Sequence, residues 1–253
     1  MSDSNEIRIK SNSSSQEKKR REAFFRQFEQ CPIPQNERLR NLGLFMNRQT
    51  ISRMLFFHEL YKKIVPVHGI IIEFGVRWGA DLTLLASLRG IYEPYNYNRK
   101  IVGFDTFSGF PSVSGKDGDD GITHPGAYGV SPDYDAFLET ILSYHETESP
   151  ISHIKKYELV KGDATQTLEK YLEDNPETII ALAYFDFDLY EPTKKCLELI
   201  RPYLTKGSVV GFDELNCPDF PGETRAIKEV FGLDRYAIRR LPSNPNPSFI
   251  IIE

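Results

Sequence analysis

The chain has 253 residues, 40% of them hydrophobic, enough for one large core, so a single α/β domain with an extension is expected. Its 31 basic and 36 acidic residues leave a formal charge of -5, which argues against non-specific nucleic-acid binding. With no signal-peptide stretch, no membrane-spanning run and three cysteines (Cys31, Cys196, Cys217) that suit neither zinc nor a disulfide framework, it reads as a cytoplasmic, soluble protein with reduced thiols and no membrane partner.

Residues 1–20 are rich in Ser, Asn and Lys and read as a disordered tail. Over 21–66 the pattern turns helical: Phe24, Phe25 and Phe28, then Met54, Leu55, Phe57, His58 and Tyr61, recur at steps of three and four. Such helices pack on a core or on a second subunit, which makes a homo-oligomer, a dimer or larger, the expected assembly. From 67 to 253 strands and helices alternate. The apolar runs are GIIIEFGV from Gly69, KIVGFDTF from Lys100, KYELVKGD from Lys156, TIIALAYFDF from Thr178 and SVVGFDE from Ser208. Runs separated by helical segments imply a mostly parallel sheet with helices on both faces. YAIRRLP and PSFIIIE, joined through SNPN, add an antiparallel C-terminal hairpin. That order is the order of a seven-stranded, Rossmann-like methyltransferase sheet. The insertion over about 109–150 is too long for a plain connection; it is rich in Gly and acids at first and helical from about Asp133.

In an open parallel sheet, ligands bind outside the carboxyl ends of the strands, so those ends carry the functional question. The first run ends in Glu73-Phe74-Gly75-Val76-Arg77-Trp78-Gly79. Gly75 would let backbone approach a ligand and Gly79 would let a helix start pack closely; a purely structural tight turn would need the same residues. The second ends in Asp105, placed to accept hydrogen bonds from a ribose diol or to form a turn. The third ends in Gly162-Asp163-Ala164, where the acid would reach an adenine amine or cap the helix TQTLEKYL. Together, three such ends favour an adenosine-containing ligand. Asp186 and Asp188 follow the fourth run, and Asp213 and Glu214 the fifth, so carboxylates from adjacent strands can converge. Oxygen ligands of this kind suit magnesium, which would lower the pKa of a coordinated hydroxyl. Asp188, on the same side as Asp186 by the strand period of two, would then be free to take the proton. Mutual repulsion tolerated at a solvated sheet edge is the other reading of the same cluster.

EFGVRWGAD, VGFDTFSGFP, ELVKGDATQTL, FDFDLYEPT and GFDELN, followed by PGETRAIKEVF, resemble in order the motifs of the macrocin O-methyltransferase family. These are S-adenosylmethionine-dependent enzymes that methylate sugar hydroxyls, and the resemblance runs from about Met46 to Glu253. It implies that Glu73, Gly75 and Gly79 line the methionine part of the cofactor, Asp105 and Ser108 the ribose, and Asp163 the adenine, with Thr106 and Asp186 completing the set. It implies a divalent cation, magnesium, on Asp186, Asp213 and Glu214, with Asp188 as general base. The family commonly has two aspartates where this chain has Asp213-Glu214. The insertion resembles a lid, with His124 and Tyr128 as its residues of interest. The expected reaction is metal-assisted, in-line methyl transfer to a sugar hydroxyl. The acceptor would be a nucleotide-linked sugar, whose diphosphate Arg77, Arg225 or Lys116 could meet, or a glycosylated natural product. A hydroxylase or oxidoreductase on the same scaffold, or a non-catalytic binding protein, is the alternative.

Overall fold

The computed structural model describes residues 13–118 and 123–253, so most of the tail and residues 119–122 of the insertion lie outside the described residues. The first helix, α1 (Ser15–Glu29), starts inside the stretch expected to be an unstructured tail. Its start is fixed locally. Ser14 accepts from the Glu17 amide while the Glu17 carboxylate accepts from the Ser14 amide, a reciprocal cap that satisfies two helix-end donors. A one-turn helix α2 (Gln35–Arg38) and an irregular segment lead to α3 (Arg48–Ile64), whose N-cap Asn47 accepts from the Gln49 and Thr50 amides.

The strands β1 (Ile70–Phe74), β2 (Ile101–Asp105), β3 (Tyr157–Lys161), β4 (Ile180–Phe185), β5 (Leu204–Phe212), β6 (Arg239–Arg240) and β7 (Ser248–Ile251) form one sheet in the order β3-β2-β1-β4-β5-β7-β6. The first five are parallel, and the β6–β7 pair joins β5 antiparallel. The crossover helices are α4 (Ala80–Tyr92), α5 (Tyr134–Thr147), α6 (Ala164–Asp174), α7 (Tyr190–Ile200) and α8 (Gly222–Val230). The sheet therefore has the doubly wound architecture expected from the alternating apolar runs, and both of its faces are buried in hydrophobic clusters. Among the described residues no helix is long and apolar enough to cross a membrane, and all three cysteines are free.

Helix α3 closes one face of this sheet. Phe56, Phe57, Leu60, Tyr61 and Ile64 are fully buried, and the Phe57 ring lies 4.6 Å from that of Tyr184 on β4. Met54 and Leu55, read from sequence as part of the packing stripe, are instead exposed, because the stripe that meets the sheet is formed by Phe56, Phe57, Leu60, Tyr61 and Ile64. Two polar ties reinforce the docking: Ser52 Oγ donates to the Ser243 carbonyl at 2.6 Å, and buried Arg99 donates to the carbonyls of Ile64 and Val67. By contrast α1 buries no residue; Phe24 and Phe28 meet only the Phe45 ring among aromatic neighbours. Replacing Phe57 with Ala removes a ring packed on the sheet and should lower unfolding free energy by about 3–5 kcal/mol. Urea denaturation showing a loss under about 1 kcal/mol would mean that α3 contributes little to the core.

Candidate active site

Four neighbouring parallel strands carry a phenylalanine in register at their carboxyl ends, as the last residue of β1, β4 and β5 and the last but one of β2. Phe74 on β1 pairs with Phe104 on β2 and Phe185 on β4, and Phe185 pairs with Phe212 on β5. Their buried rings touch in a row, with centroids 5.4 Å apart for Phe74–Phe104, 4.6 Å for Phe74–Phe185 and 5.6 Å for Phe185–Phe212. The next residues are Gly75, Asp105, Asp186 and Asp213. Ladder bonds carry on through three of them: the amides of Gly75, Asp186 and Asp213 donate to the carbonyls of Phe104, Phe74 and Phe185 at 3.0, 2.9 and 3.0 Å. The backbone under the candidate site is thus as fixed as the sheet itself.

Past this row the chain makes tight turns. Gly75 has φ +86°, and a Cβ there would run into the Asp186 carbonyl. Arg77, Phe107, Tyr128, Asp188 and Asn216 all hold left-handed backbone, an uncommon conformation for side-chain-bearing residues that collects at functional sites. Asp188 lies beyond the end of β4, so the strand period does not set its direction as the sequence reading had it; the left-handed turn at φ +61° does.

Two clefts open on these turns. One, of about 750 Å³, is lined by Gly75, Asp105, Thr106 and Asp163, with Phe110, Pro111, Leu189 and Pro192 as apolar walls. The other, of about 1090 Å³, is lined by Glu73, Asp81, Asp213, Glu214 and Asp219, with Arg53, Trp78 and Asn246. Gly75, Arg77, Tyr128, Asp186 and Asp188 line both and form the wall between them.

Among the residues of the first cleft, Asp105 accepts from the amides of Arg77 (2.7 Å) and Phe107 (2.6 Å), which aims its carboxylate. Burial nevertheless raises its pKa, more than those amides lower it. Asp163 is the N-cap of α6, accepting from the Thr165 amide and hydroxyl at 2.9 and 2.7 Å, and it lines the cleft as well. Thr106 Oγ donates to the Gly109 carbonyl at 2.7 Å. Gly79 and Ser108 line neither cleft. Gly79 starts α4 in left-handed backbone against Leu138, and Ser108 is exposed.

In the second cleft the carboxyls crowd together. Burial, and then the charge of Asp213, pushes Asp186 well above the usual carboxylate range, while burial and Glu214 do the same for Asp188. Glu214 is pushed up to about 7 by burial and Asp213. Glu223, at the start of α8, is fully buried; it accepts from the Glu214 amide at 3.1 Å.

Arg53, from α3, stands among these acids. Its Nε donates to Asp81 Oδ2 at 2.8 Å, Nη2 to Asp186 Oδ2 at 2.8 Å and Nη1 to Asp213 Oδ1 at 2.6 Å. Tyr184 OH donates to the same Asp213 oxygen at 2.5 Å. The residues expected to hold a divalent cation therefore do not fit one in this arrangement. Two of the three are bridged by a guanidinium, and no group of three or more His, Cys, Asp or Glu among the described residues is arranged to hold a metal ion. Sequence reasoning missed Arg53, although it lies one turn before Phe57 and two before Leu60, a charge on an otherwise apolar helix stripe.

The described residues of the insertion are anchored at several points. The Phe110 amide donates to the Ala127 carbonyl, and the Gly126 amide donates back to Phe110, each at 2.9 Å. Buried Asp117 accepts from Ser114 and from the Tyr190 amide at the start of α7. Tyr128 reaches the site, its ring under the Arg77 guanidinium at 4.9 Å. His124 lines neither cleft and meets its neighbour's carbonyl. Lys116 lies over the Tyr190 ring, and Arg225 donates to the Lys116 carbonyl; neither lines a cleft.

No protein-family model matches the chain, and no curated protein does. Among solved structures, the calicheamicin methyltransferase CalS11 is 44% identical, with TM-score 0.92 over 99% of this chain and 98% of that one. The chain belongs to the sugar O-methyltransferase family. This methyltransferase also matches the apo structure of CalS11, a TDP-rhamnose 3'-O-methyltransferase of calicheamicin biosynthesis, at 42% identity and TM-score 0.84, over 95% and 96% of the two chains. The O-methyltransferase NovP, at 19% identity and TM-score 0.59 over 80% of each chain, shares the fold. The enzyme is an S-adenosylmethionine-dependent O-methyltransferase, and its site suits that cofactor. Buried Glu73 Oε2 has no hydrogen-bond partner among the described residues, and Glu73 lines the second cleft. A surplus of carboxylates also favours a molecule carrying an ammonium and a sulfonium.

Burial, and then Asp81, holds the Glu73 pKa well above the ordinary value. The folded protein thus keeps a proton that the unfolded chain releases, so this residue costs stability as pH rises above the usual carboxylate pKa. Relative to the ligand-free wild type, Glu73→Gln should gain melting temperature progressively between about pH 5 and 8. Parallel melting curves across that range would show that Glu73 is neutralised by another route.

Proposed function

We propose that this methyltransferase moves the methyl group of S-adenosylmethionine to a sugar hydroxyl through the wall its two clefts share. The observation that supports this is the make-up of that wall: Gly75, Arg77, Tyr128, Asp186 and Asp188 belong both to a cleft with adenosine-suited strand ends and to an acid-rich one. When bound, the cofactor supplies a methyl group activated by its sulfonium. In this reading Asp105 receives the ribose hydroxyls, Asp163 meets the adenine and the free Glu73 oxygen accepts from the cofactor's ammonium. Gly79 and Ser108 shape turns. The second cleft admits the sugar, and Asp188 takes the hydroxyl proton as the oxygen attacks the methyl carbon and the carbon–sulfur bond breaks. Tyr128 and Arg77, stacked over the wall, keep water from the transfer.

The acceptor, in this proposal, is a nucleotide-linked sugar like the one named for CalS11, or a glycosylated natural product. Carboxylates that dominate the second cleft would repel a diphosphate, so of the acceptor only the sugar ring enters, beside the cofactor's ammonium at Glu73, and the anionic part stays outside. No observation on the site favours an oxidoreductase or a binding protein. A divalent cation is not assigned a step, because Arg53 takes up oxygens of Asp186 and Asp213.

If Asp188 accepts the proton, Asp188→Asn should lower kcat by roughly two to four orders of magnitude and leave the acceptor KM nearly unchanged. Steady-state kinetics on TDP-rhamnose, with methyl transfer read by mass spectrometry, makes the comparison. Retained kcat, or a loss confined to KM, would make Asp188 an orienting residue.

We also propose that a second copy of the chain covers α1. Phe24, Phe25 and Phe28 are exposed on a helix with no buried residue, and a single helix of 15 residues is marginally stable in water by itself. Light scattering should show a dimer or larger at micromolar concentration, and Phe25→Asp should shift it toward monomer. A monomeric wild type would refute the assembly.

A further inference from the structure

Arg53 comes from outside the doubly wound core, yet it joins three elements of the second cleft. Its partners are Asp81 in the first turn of α4, Asp186 after β4 and Asp213 after β5. The fork of a guanidinium explains why one side chain can do this. Its N–H groups lie in one plane and diverge at fixed angles, so carboxylates on three sides can each accept from a different nitrogen. Arg53 is also held from the apolar side, with its guanidinium carbon 5.5 Å from the Phe57 ring centroid and 5.9 Å from that of Tyr184. Both rings are fully buried and give the guanidinium a fixed apolar wall.

A divalent cation at the same place would need the same oxygens. Magnesium binds carboxylate oxygens at about 2.0–2.1 Å in a strict octahedron, whereas Arg53 engages Asp186 Oδ2 and Asp213 Oδ1 from 2.8 and 2.6 Å. One positive charge spread over three nitrogens and one double charge at a point cannot occupy that gap together. Asp213 Oδ1 is further committed by the Tyr184 hydroxyl.

We infer that Arg53 is the resident cation of the acceptor cleft, bridging Asp81, Asp186 and Asp213 in place of a divalent metal, so that these carboxylates take a metal only when the guanidinium is removed. The inference rests on the reading of this cleft as the place of methyl transfer. It makes Arg53 a positioning residue: it fixes Asp186 at the shared wall and neutralises part of the repulsion around Asp188.

The test is a manganese titration of the full-length protein, followed by electron paramagnetic resonance of free Mn²⁺, on the wild type, Arg53→Gln, Arg53→Lys and Arg53→Gln with Asp213→Asn. Wild type and Arg53→Lys should bind no Mn²⁺ with Kd below about 1 mM; Arg53→Gln should gain one site at least about tenfold tighter, lost again when Asp213→Asn is added. A wild type that binds one Mn²⁺ below about 1 mM, with Asp213→Asn abolishing it, overturns the inference. So does a folded Arg53→Gln that gains no site. If circular dichroism shows Arg53→Gln to be unfolded, Arg53→Met, which keeps the stem between the two rings, takes its place. Should that fail as well, the wild-type titration with and without Asp213→Asn decides alone. S-adenosylhomocysteine binding to the wild type, measured by calorimetry on the same samples, tests the methyltransferase reading separately. Absent binding there would sink that reading whatever the manganese result.

Discussion

The in-register row of phenylalanines near the carboxyl ends of four parallel strands is the constraint from which the site follows. Parallel neighbours leave the sheet at the same end, so their connections cannot be short hairpins and their carboxyl ends face a common crevice. Here the register is sharp: Phe74, Phe104, Phe185 and Phe212 form one buried row, and Gly75, Asp105, Asp186 and Asp213 follow one residue later. Because side chains alternate across a strand, residues that succeed the row leave its face and turn toward the side closed by α3. The rings supply an apolar floor, and the ladder bonds of the next residues place the carboxylates. A slip of one residue in β2, β4 or β5 would exchange an aspartate for a ring at the crevice.

The second organising force is charge in a place poor in water. Glu73, Asp81, Asp186, Asp188, Asp213 and Glu214 line one cleft with only Arg53 and Arg77 among the basic residues there. Carboxylates so arranged are costly when ionised, which is why burial and neighbouring acids push several of them upward. An enzyme whose cofactor is a cation gains from that arrangement, since the ligand relieves a repulsion that the folded chain otherwise carries.

Much of this was legible before any coordinates. Five apolar runs at helical spacing specify a doubly wound sheet, and acids directly after those runs mark the crevice; both inferences rest on local pattern. What the pattern did not carry were features set by contacts distant in sequence or by single backbone angles. Arg53 sits in a segment that reads as packing, and its partners Asp186 and Asp213 lie 133 and 160 residues away. Asp188 is aimed by a left-handed turn and not by strand alternation, while Gly79 and Ser108 match a family motif without reaching a cleft. Asp163 caps α6, one of its two readings, and also lines the first cleft. The start of α1 was overlooked because a Ser-rich stretch hides the reciprocal cap of Ser14 and Glu17.

The attachment of α3 has a consequence for the order in which the molecule can be made. Arg53 emerges early in synthesis and Asp213 late, and Ser52 waits for Ser243, 191 residues further on. A nascent chain that has not yet produced β5 has neither Asp213 nor the C-terminal hairpin, so α3 lacks part of the surface it docks on and Arg53 lacks one of its three carboxylates. Closing so long a loop is slow relative to local helix formation. The acid cluster therefore assembles only once β5 and the residues after it have been made.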